Sequence, residues 1–343
     1  MKLAIIGQPT EMESDIVKGA EQSGDEVCVY AVCDELGGHR GKFIPQEKTN
    51  MQEFVSWSIL DLVDRARDWG PDLVMVRYPF WIGQTGILDE FRAILRYTPT
   101  FVYQTEQGPT REWGMMYSYG WQHIAVNSMA DMVSYRVRFP NAQIHYLPFG
   151  TREITPDELV LQPQYVSDIV SDGWAHYACQ CYGGWKQRSV DVMVRPLVEM
   201  DLALYGRIDK KGLPHSWAAM PGLSRKYRGE FAHTDYPKVY ASAKVYAGAS
   251  WNWAHGGYGV RLAKVLSTGI PVVWHKTVWA EEDGLHDGEQ LMFSSNPEET
   301  KRVVQHLLDN EDERTKLGQR GRIWVREHWD WWTNLKRVAN EIG

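Results

Sequence analysis

The sequence predicts an α/β protein made of two doubly wound domains facing a central cleft. Three observations predict it. Short apolar runs alternate with segments of helical period, the pattern of parallel strands joined by crossover helices. The alternation stops in a polar, proline-containing stretch and then restarts. The chain of 343 residues is long enough for two domains of ordinary size. On this reading residues 1–150 form the first domain, 151–165 a linker, 166–327 the second domain and 328–343 a last helix.

Each expected element has a local reason. In the first half, KLAIIG (2–7) is a buried strand, and 12–23 carries apolar residues at helical spacing. Residues 26–33 are a second strand. Residues 51–69 read as one helix, with Phe54, Ile59, Leu62, Val63 and Ala66 on one face. Gly70-Pro71 punctuates the chain before the strand DLVMVR (72–77), and 87–97 reads as a helix. Strands follow at 100–104, 123–127 and 143–147, and Pro148-Phe149-Gly150 closes the half. In the second half, 176–182 reads as the first strand, stopped by Gly183-Gly184, and 189–199 as a helix. Residues 201–205, 226–231, 244–249, 271–275 and 290–294 read as strands, with a helix at 236–242. Three helices end the chain, at 298–310, 311–327 and 329–342.

Composition excludes several classes. A formal net charge of −7 argues against broad electrostatic binding to nucleic acid or anionic membrane. No apolar run is long enough to span a bilayer, and the opening MKLAIIGQPTEMESD reads as a strand, not a signal peptide. Cys28, Cys33, Cys179 and Cys181 lack zinc-site spacing and read as free thiols of a cytoplasmic protein. The chain has no G-x-x-x-x-G-K-[ST], no three-glycine dinucleotide fingerprint after its first strand and no G-x-S-x-G elbow. A metal requirement and a bound cofactor are likewise not expected. The 16 tryptophans against 9 phenylalanines suit both core filling and stacking on sugars.

The most informative segment runs from Tyr236 to Val273. A strand leads into His255-Gly256-Gly257-Tyr258-Gly259, and a helix follows with Arg261 and Lys264 three apart on one face. Glycines before a helix let an anion approach backbone N–H groups at the positive helix end, and the cations add formal charge. Gly183-Gly184-Trp185-Lys186-Gln187-Arg188 repeats the theme in the same half. Together they suggest a site for a nucleotide diphosphate. On the first half, Glu106 follows a strand directly. It reads either as the base for an acceptor hydroxyl or as a cap for the helix starting near Thr110. His39, in a glycine-rich loop, is the other acceptor-side candidate. The clusters Arg92/Arg96 and Arg136/Arg138 read either as contacts to a phosphate backbone or, the more common case, as solvated helix faces.

The order of short motifs in the last hundred residues resembles that of glycosyltransferases of the GT-B fold, in particular glycosyltransferase family 4 and the CgeB-like proteins. The matching features are the helix and strand 236–247, the glycine loop before Arg261, Gly269 ahead of Val273, Asp287-Gly288-Glu289 with Phe293, and the tail from Pro297 to Trp332. The resemblance implies two Rossmann-like domains, with the acceptor on the first, the donor on the second and the last helix crossing back. It implies transfer of a sugar from a nucleotide-diphosphate sugar, first of all a UDP-sugar, to a glycan, a small molecule or modified DNA. Retention at the anomeric carbon and independence of metal are implied too. A phage-type DNA glycosyltransferase acting on a hydroxymethylated base and a non-catalytic nucleotide-sugar or glycan-binding protein are the alternatives. Carried over, Gly184, Lys186 or Arg188 and Arg261 would neutralise the diphosphate. Tyr258 and Gly259 would meet it through N–H groups, and Arg228 and Gly229 would lie near the base. Gly183, His255, Gly257 and Lys264 complete the expected donor set. Gly256 and Lys264 stand where relatives keep two carboxylates, for which Glu281 or Glu282 are possible replacements.

Overall fold

The structure is a computed structural model that describes residues 1–7, 11–32, 52–56, 59–77, 91, 93, 95–105, 111–116, 118–173, 185–206, 217, 220–248 and 258–343. The chain divides into two compact units, one of residues 1–152 with 330–343 and one of residues 153–329.

The first unit carries a seven-stranded parallel sheet. Its strands are β1 (Lys2–Gly7), β2 (Glu26–Val32), β3 (Gln52–Ser56), β4 (Leu73–Arg77), β5 (Thr100–Gln104), β6 (His123–Val126) and β7 (Gln143–Tyr146), in the order β3-β2-β1-β4-β5-β6-β7. Its helices are α1 (Glu11–Gln22), α2 (Ile59–Trp69), α3 (Arg111–Met116) and α4 (Met129–Arg138). Alternate strand residues bury opposite faces. Ala4, Ile6, Val74, Val76, Val102 and Ile124 pack in one core with Leu62, Val63 and Ala66 of α2.

One expectation fails here. Residues 51–69 are not a single helix. Phe54 lies on β3, opposite Tyr30 of β2, and only 59–69 is helical. Phe54 fits the helical spacing of α2 and a strand equally well, and one residue cannot separate the two periods.

The second unit carries a five-stranded parallel sheet. Its strands are β8 (Ser167–Asp172), β9 (Leu202–Tyr205), β10 (Ala243–Gly248), β11 (Val272–His275) and β12 (Met292–Ser294), in the order β12-β11-β10-β8-β9. Helices α5 (Trp185–Met193), α6 (Tyr236–Ala241), α7 (Gly259–Ser267), α8 (Pro297–Asp309) and α9 (Glu311–His328) surround it. Two cores result, one on each face of the sheet. Tyr246, Val272 and Trp274 face Leu262, Val265 and Leu266 of α7, while Val245, Ala247 and Val273 face Val304 and Leu307 of α8.

Two expectations change in this unit. The first strand is 167–172, upstream of the expected 176–182, whose residues lie outside the described ones. Residues 226–231 do not form a strand. They contribute one parallel bridge, Leu204 to Tyr227, beside a short 3-10 turn.

The last helix, α10 (Trp331–Ile342), packs on the first unit. Trp331 meets Tyr103 edge-on with ring centroids 5.9 Å apart. Trp332 Nε1 donates to Asp25 at 2.6 Å, and the same carboxylate takes Lys336 and the chain's amino terminus. At the far end, Glu341 holds His145 Nδ1 at 2.7 Å. Among the described residues no helix is long and apolar enough to cross a membrane.

Candidate active site

In the second sheet the chain lays β9 on one side of β8, then crosses to build β10, β11 and β12 on the other. The crossover directions therefore diverge between β8 and β10. In open parallel sheets, ligands sit beyond the carboxyl ends of the strands at such a switch point. Here those ends are Asp172-Gly173 and Gly248.

Three side chains converge there. Arg261, in the first turn of α7, brings Nε to 3.3 Å from Asp172 Oδ2. Tyr246 donates its hydroxyl to Asp172 Oδ1 at 2.8 Å. Tyr246 lies opposite Val170, two residues short of Asp172, so its ring leans forward along the strand. Gly248 makes room for that lean, since a Cβ there would fall 2.5 Å from the tyrosine ring. Gly173 does the same for Arg261. A Cβ at Gly173 would fall 2.6 to 2.8 Å from the guanidinium, and its φ of +128° suits glycine. Gly206, after β9, closes the layer, because a Cβ there would fall 2.2 Å from the Gly173 carbonyl oxygen. Burial first, and Asp172 second, push the Tyr240 and Tyr246 hydroxyls well above their ordinary range, so both stay protonated donors.

The start of α7 completes the site. Its apolar face, Leu262, Ala263, Val265 and Leu266, is buried and fixes the axis. Tyr258 occupies the N-cap position without a side-chain cap hydrogen bond, and Gly259 has φ +67° with nothing within 4 Å of where its Cβ would stand. The first N–H groups of such a helix carry partial positive charge and await an acceptor. The Tyr258 ring is buried against Trp329, with burial, then Asp283 and Glu282, raising its hydroxyl pKa. That places the loop after β11, with exposed Glu281 and Glu282, by the same helix start. In this loop Trp279 has φ +73°, the one non-glycine residue with positive φ among the described residues.

The other expected residues divide into three groups. Lys264 is on α7 but buried, its Nζ 2.8 Å from His233 Nε2 and 5.3 Å over the Tyr236 ring. Arg261 and Lys264 thus share a helix and meet different partners. Arg228 donates to the Val166 carbonyl at 2.7 Å and reaches Asp201 at 3.4 Å, at the amino ends of β8 and β9. Its backbone N–H donates to the Leu204 carbonyl at 2.9 Å, toward the carboxyl end of β9, and its side chain also meets Tyr205. The Gly229 carbonyl accepts from Gly206 N–H at 3.0 Å. Lys186 and Arg188 lie on α5, whose start follows Gly183-Gly184, but their side chains are outside the described residues. His39, Glu106, Gly183, Gly184, His255 and Gly257 also lie outside them.

Sequence reasoning missed Asp172, Gly173, Tyr246 and Gly248. The signal for the first two was present, an Asp-Gly pair closing a strand, but it went unread because the strand was placed downstream. Among the described residues, no group of three His, Cys, Asp or Glu stands close enough to hold a metal ion.

A seven-stranded and a five-stranded parallel sheet, each interleaved with helices, make an α/β architecture that matches the GT-B fold. Residues 187–340 match a family model described as glycosyl transferase-like. Solved structures agree on the fold. HepE from Anabaena, in complex with UDP, is 14% identical, with a TM-score of 0.68 over 99% of each chain. Sucrose-phosphate synthase from Thermosynechococcus elongatus is 14% identical, with a TM-score of 0.64 over 100% of this chain and 97% of its own. A glycosyltransferase from Rickettsia africae is 12% identical, with a TM-score of 0.63 over 99% and 98%. No curated protein matches the sequence.

Proposed function

We propose that this protein transfers a sugar from a UDP-sugar to an acceptor hydroxyl, without a metal ion and with retention at the anomeric carbon. The observation that carries the proposal is Arg261, fixed at the switch point of the second sheet beside an uncapped helix start. When the bond between the anomeric carbon and the diphosphate oxygen breaks, negative charge grows on the leaving UDP. A guanidinium and oriented N–H groups stabilise that charge, the part a metal ion plays elsewhere. The acceptor oxygen forms the new bond to the anomeric carbon and gives up its proton, for which Glu106 on the first unit is the candidate base. Gly183 and Gly184, with Lys186 and Arg188, are the second candidate contact to the diphosphate. The complexes of HepE with UDP-glucose and with UDP and glucose support a UDP-linked hexose as donor and a sugar as the first acceptor class to try.

The test is a titration of the wild type and R261A with UDP and UDP-glucose, followed by turnover on a sugar panel and on hydroxymethylated DNA. Arg261→Ala is expected to lose on the order of 2–4 kcal/mol of transition-state stabilisation. Unchanged kcat/KM would remove Arg261 from the mechanism. Turnover confined to DNA, and falling steeply with salt, would replace the sugar acceptor with a nucleic acid.

A further inference from the structure

A carboxylate beside the phosphate-binding arginine needs an explanation. Asp172 carries a negative charge at the point where the proposed ligand brings two more. Taken alone, it would weaken binding of any diphosphate. Yet the fold invests three other residues in keeping it there. Tyr246 is fully buried and gives Asp172 its hydroxyl. Gly248 is bare so that the Tyr246 ring can lie flat over it, and Gly173 is bare so that the Arg261 guanidinium can lie over the strand end. Asp172 itself is 14% exposed, against 32% for Arg261. The carboxylate is therefore clamped from below while the arginine it holds remains accessible.

We infer that Asp172 is a positioning residue for the donor site: clamped by Tyr246, it holds Arg261 by Nε so that the guanidinium fork faces the diphosphate. This rests on the donor reading above. An arginine has several rotatable bonds, and freezing it on ligand binding costs conformational entropy. A partner that orders it beforehand removes that cost from the binding step. Tyr246 stays protonated and so donates to Asp172 at every working pH, leaving Oδ2 aimed at Arg261. The opposing effect is Coulombic: Asp172 also lowers the local positive potential. The inference says that orientation outweighs this loss.

Calorimetric titration with UDP separates the two effects. Asp172→Asn keeps the size and an oxygen for Tyr246 but turns an amide donor toward the guanidinium in place of the carboxylate oxygen. D172N is expected to weaken UDP binding about tenfold, and Tyr246→Phe, which removes one of the two tyrosine hydroxyls on the carboxylate without altering charge, about threefold. In the R261A background D172N should change UDP affinity less than about twofold, because the residue it positions is gone. Asp168→Asn, at the amino end of β8 beside Lys244, is the control and should bind as the wild type does. Melting temperatures taken alongside show whether each variant is folded. Tighter or unchanged UDP binding by D172N, or the same loss in both backgrounds, overturns the inference. If the wild type ignores UDP, or R261A binds it undiminished, the donor reading itself falls and this inference with it.

Discussion

Gly173→Ala isolates the geometry of the site in one methyl group. The added Cβ would stand 2.6 Å from Arg261 Nη2 and 2.8 Å from Cζ and Nη1, closer than van der Waals contact allows. The obstacle is the far end of a flexible side chain, so Arg261 swings away and the sheet stays put. Two separable costs follow. Holding alanine at φ +128° costs on the order of 1–3 kcal/mol of stability, whatever Arg261 does. Displacing the guanidinium removes the charge meant for the leaving diphosphate, worth on the order of 2–4 kcal/mol, or roughly 30- to 1,000-fold in kcat/KM. G173A should therefore resemble R261A in activity while melting earlier than R261A. The double variant G173A/R261A should be no less active than R261A but should keep the melting deficit of G173A. Steady-state kinetics with a UDP-sugar and thermal melts of the four proteins check this. An active G173A would show that Arg261 can leave its position over Gly173 without consequence, and would refute the argument.

Three further outcomes are expected. Gly248→Ala meets a rigid buried ring, with its Cβ 2.5 Å from Tyr246, so it should cost about 1–3 kcal/mol of stability by overpacking and weaken UDP binding by dislodging the clamp; a melt indistinguishable from wild type would contradict it. Arg228→Ala should weaken UDP binding far less than Arg261→Ala does and cost about 1 kcal/mol of stability, since its guanidinium is engaged by the Val166 carbonyl, the exposed Asp201 and Tyr205; a loss of UDP binding as large as that of R261A would contradict it. The third concerns pH. His123 Nδ1 lies 3.2 Å from His145 Nε2, and burial, then the charge of His145, lower the His123 pKa below its ordinary 6.5. The unfolded chain then takes up the proton first, so stability is full above about pH 6.5 and falls as pH drops through the lowered folded value. Melting temperatures from pH 8 to 5 should fall on the acid side, and His123→Gln should flatten that fall; an unaltered profile in H123Q would assign the loss to other groups.

Much of the fold was legible because buried parallel strands are continuous apolar runs. LVMVR, TFVYQ and AKVYAG bury nearly every residue, and the chain announces them. β8 hid for the opposite reason. It is the inner strand at the switch point, yet it reads SDIVSD, with Ile169 and Val170 alone apolar. Ser167 and Ser171 are buried in it, and Asp172, paired with Arg261, ends it. The stretch 176–182 is the more apolar run, and hydropathy chose it. The same fact decides how much of the site could be read. Arg261 was legible because a glycine loop and a helix start are local features of sequence. The Asp172–Tyr246 contact joins residues 74 apart, on strands made neighbours only because β9 turns away to the other side of β8. No local pattern encodes that adjacency.

What the sequence did carry was the consequence of the contact. Gly173 and Gly248 each end a strand, where a side chain would ordinarily be tolerated and backbone freedom is not the whole reason for glycine. Gly248 has no positive φ, and among the described residues the Tyr246 ring stands where its Cβ would be. A glycine that ends a buried strand without needing a left-handed turn thus marks a neighbour that needs the space. In this fold the neighbour is the tyrosine that fixes the carboxylate that holds the arginine. The order of dependence runs from sheet topology, to two bare glycines, to an oriented cation at the mouth of the strands.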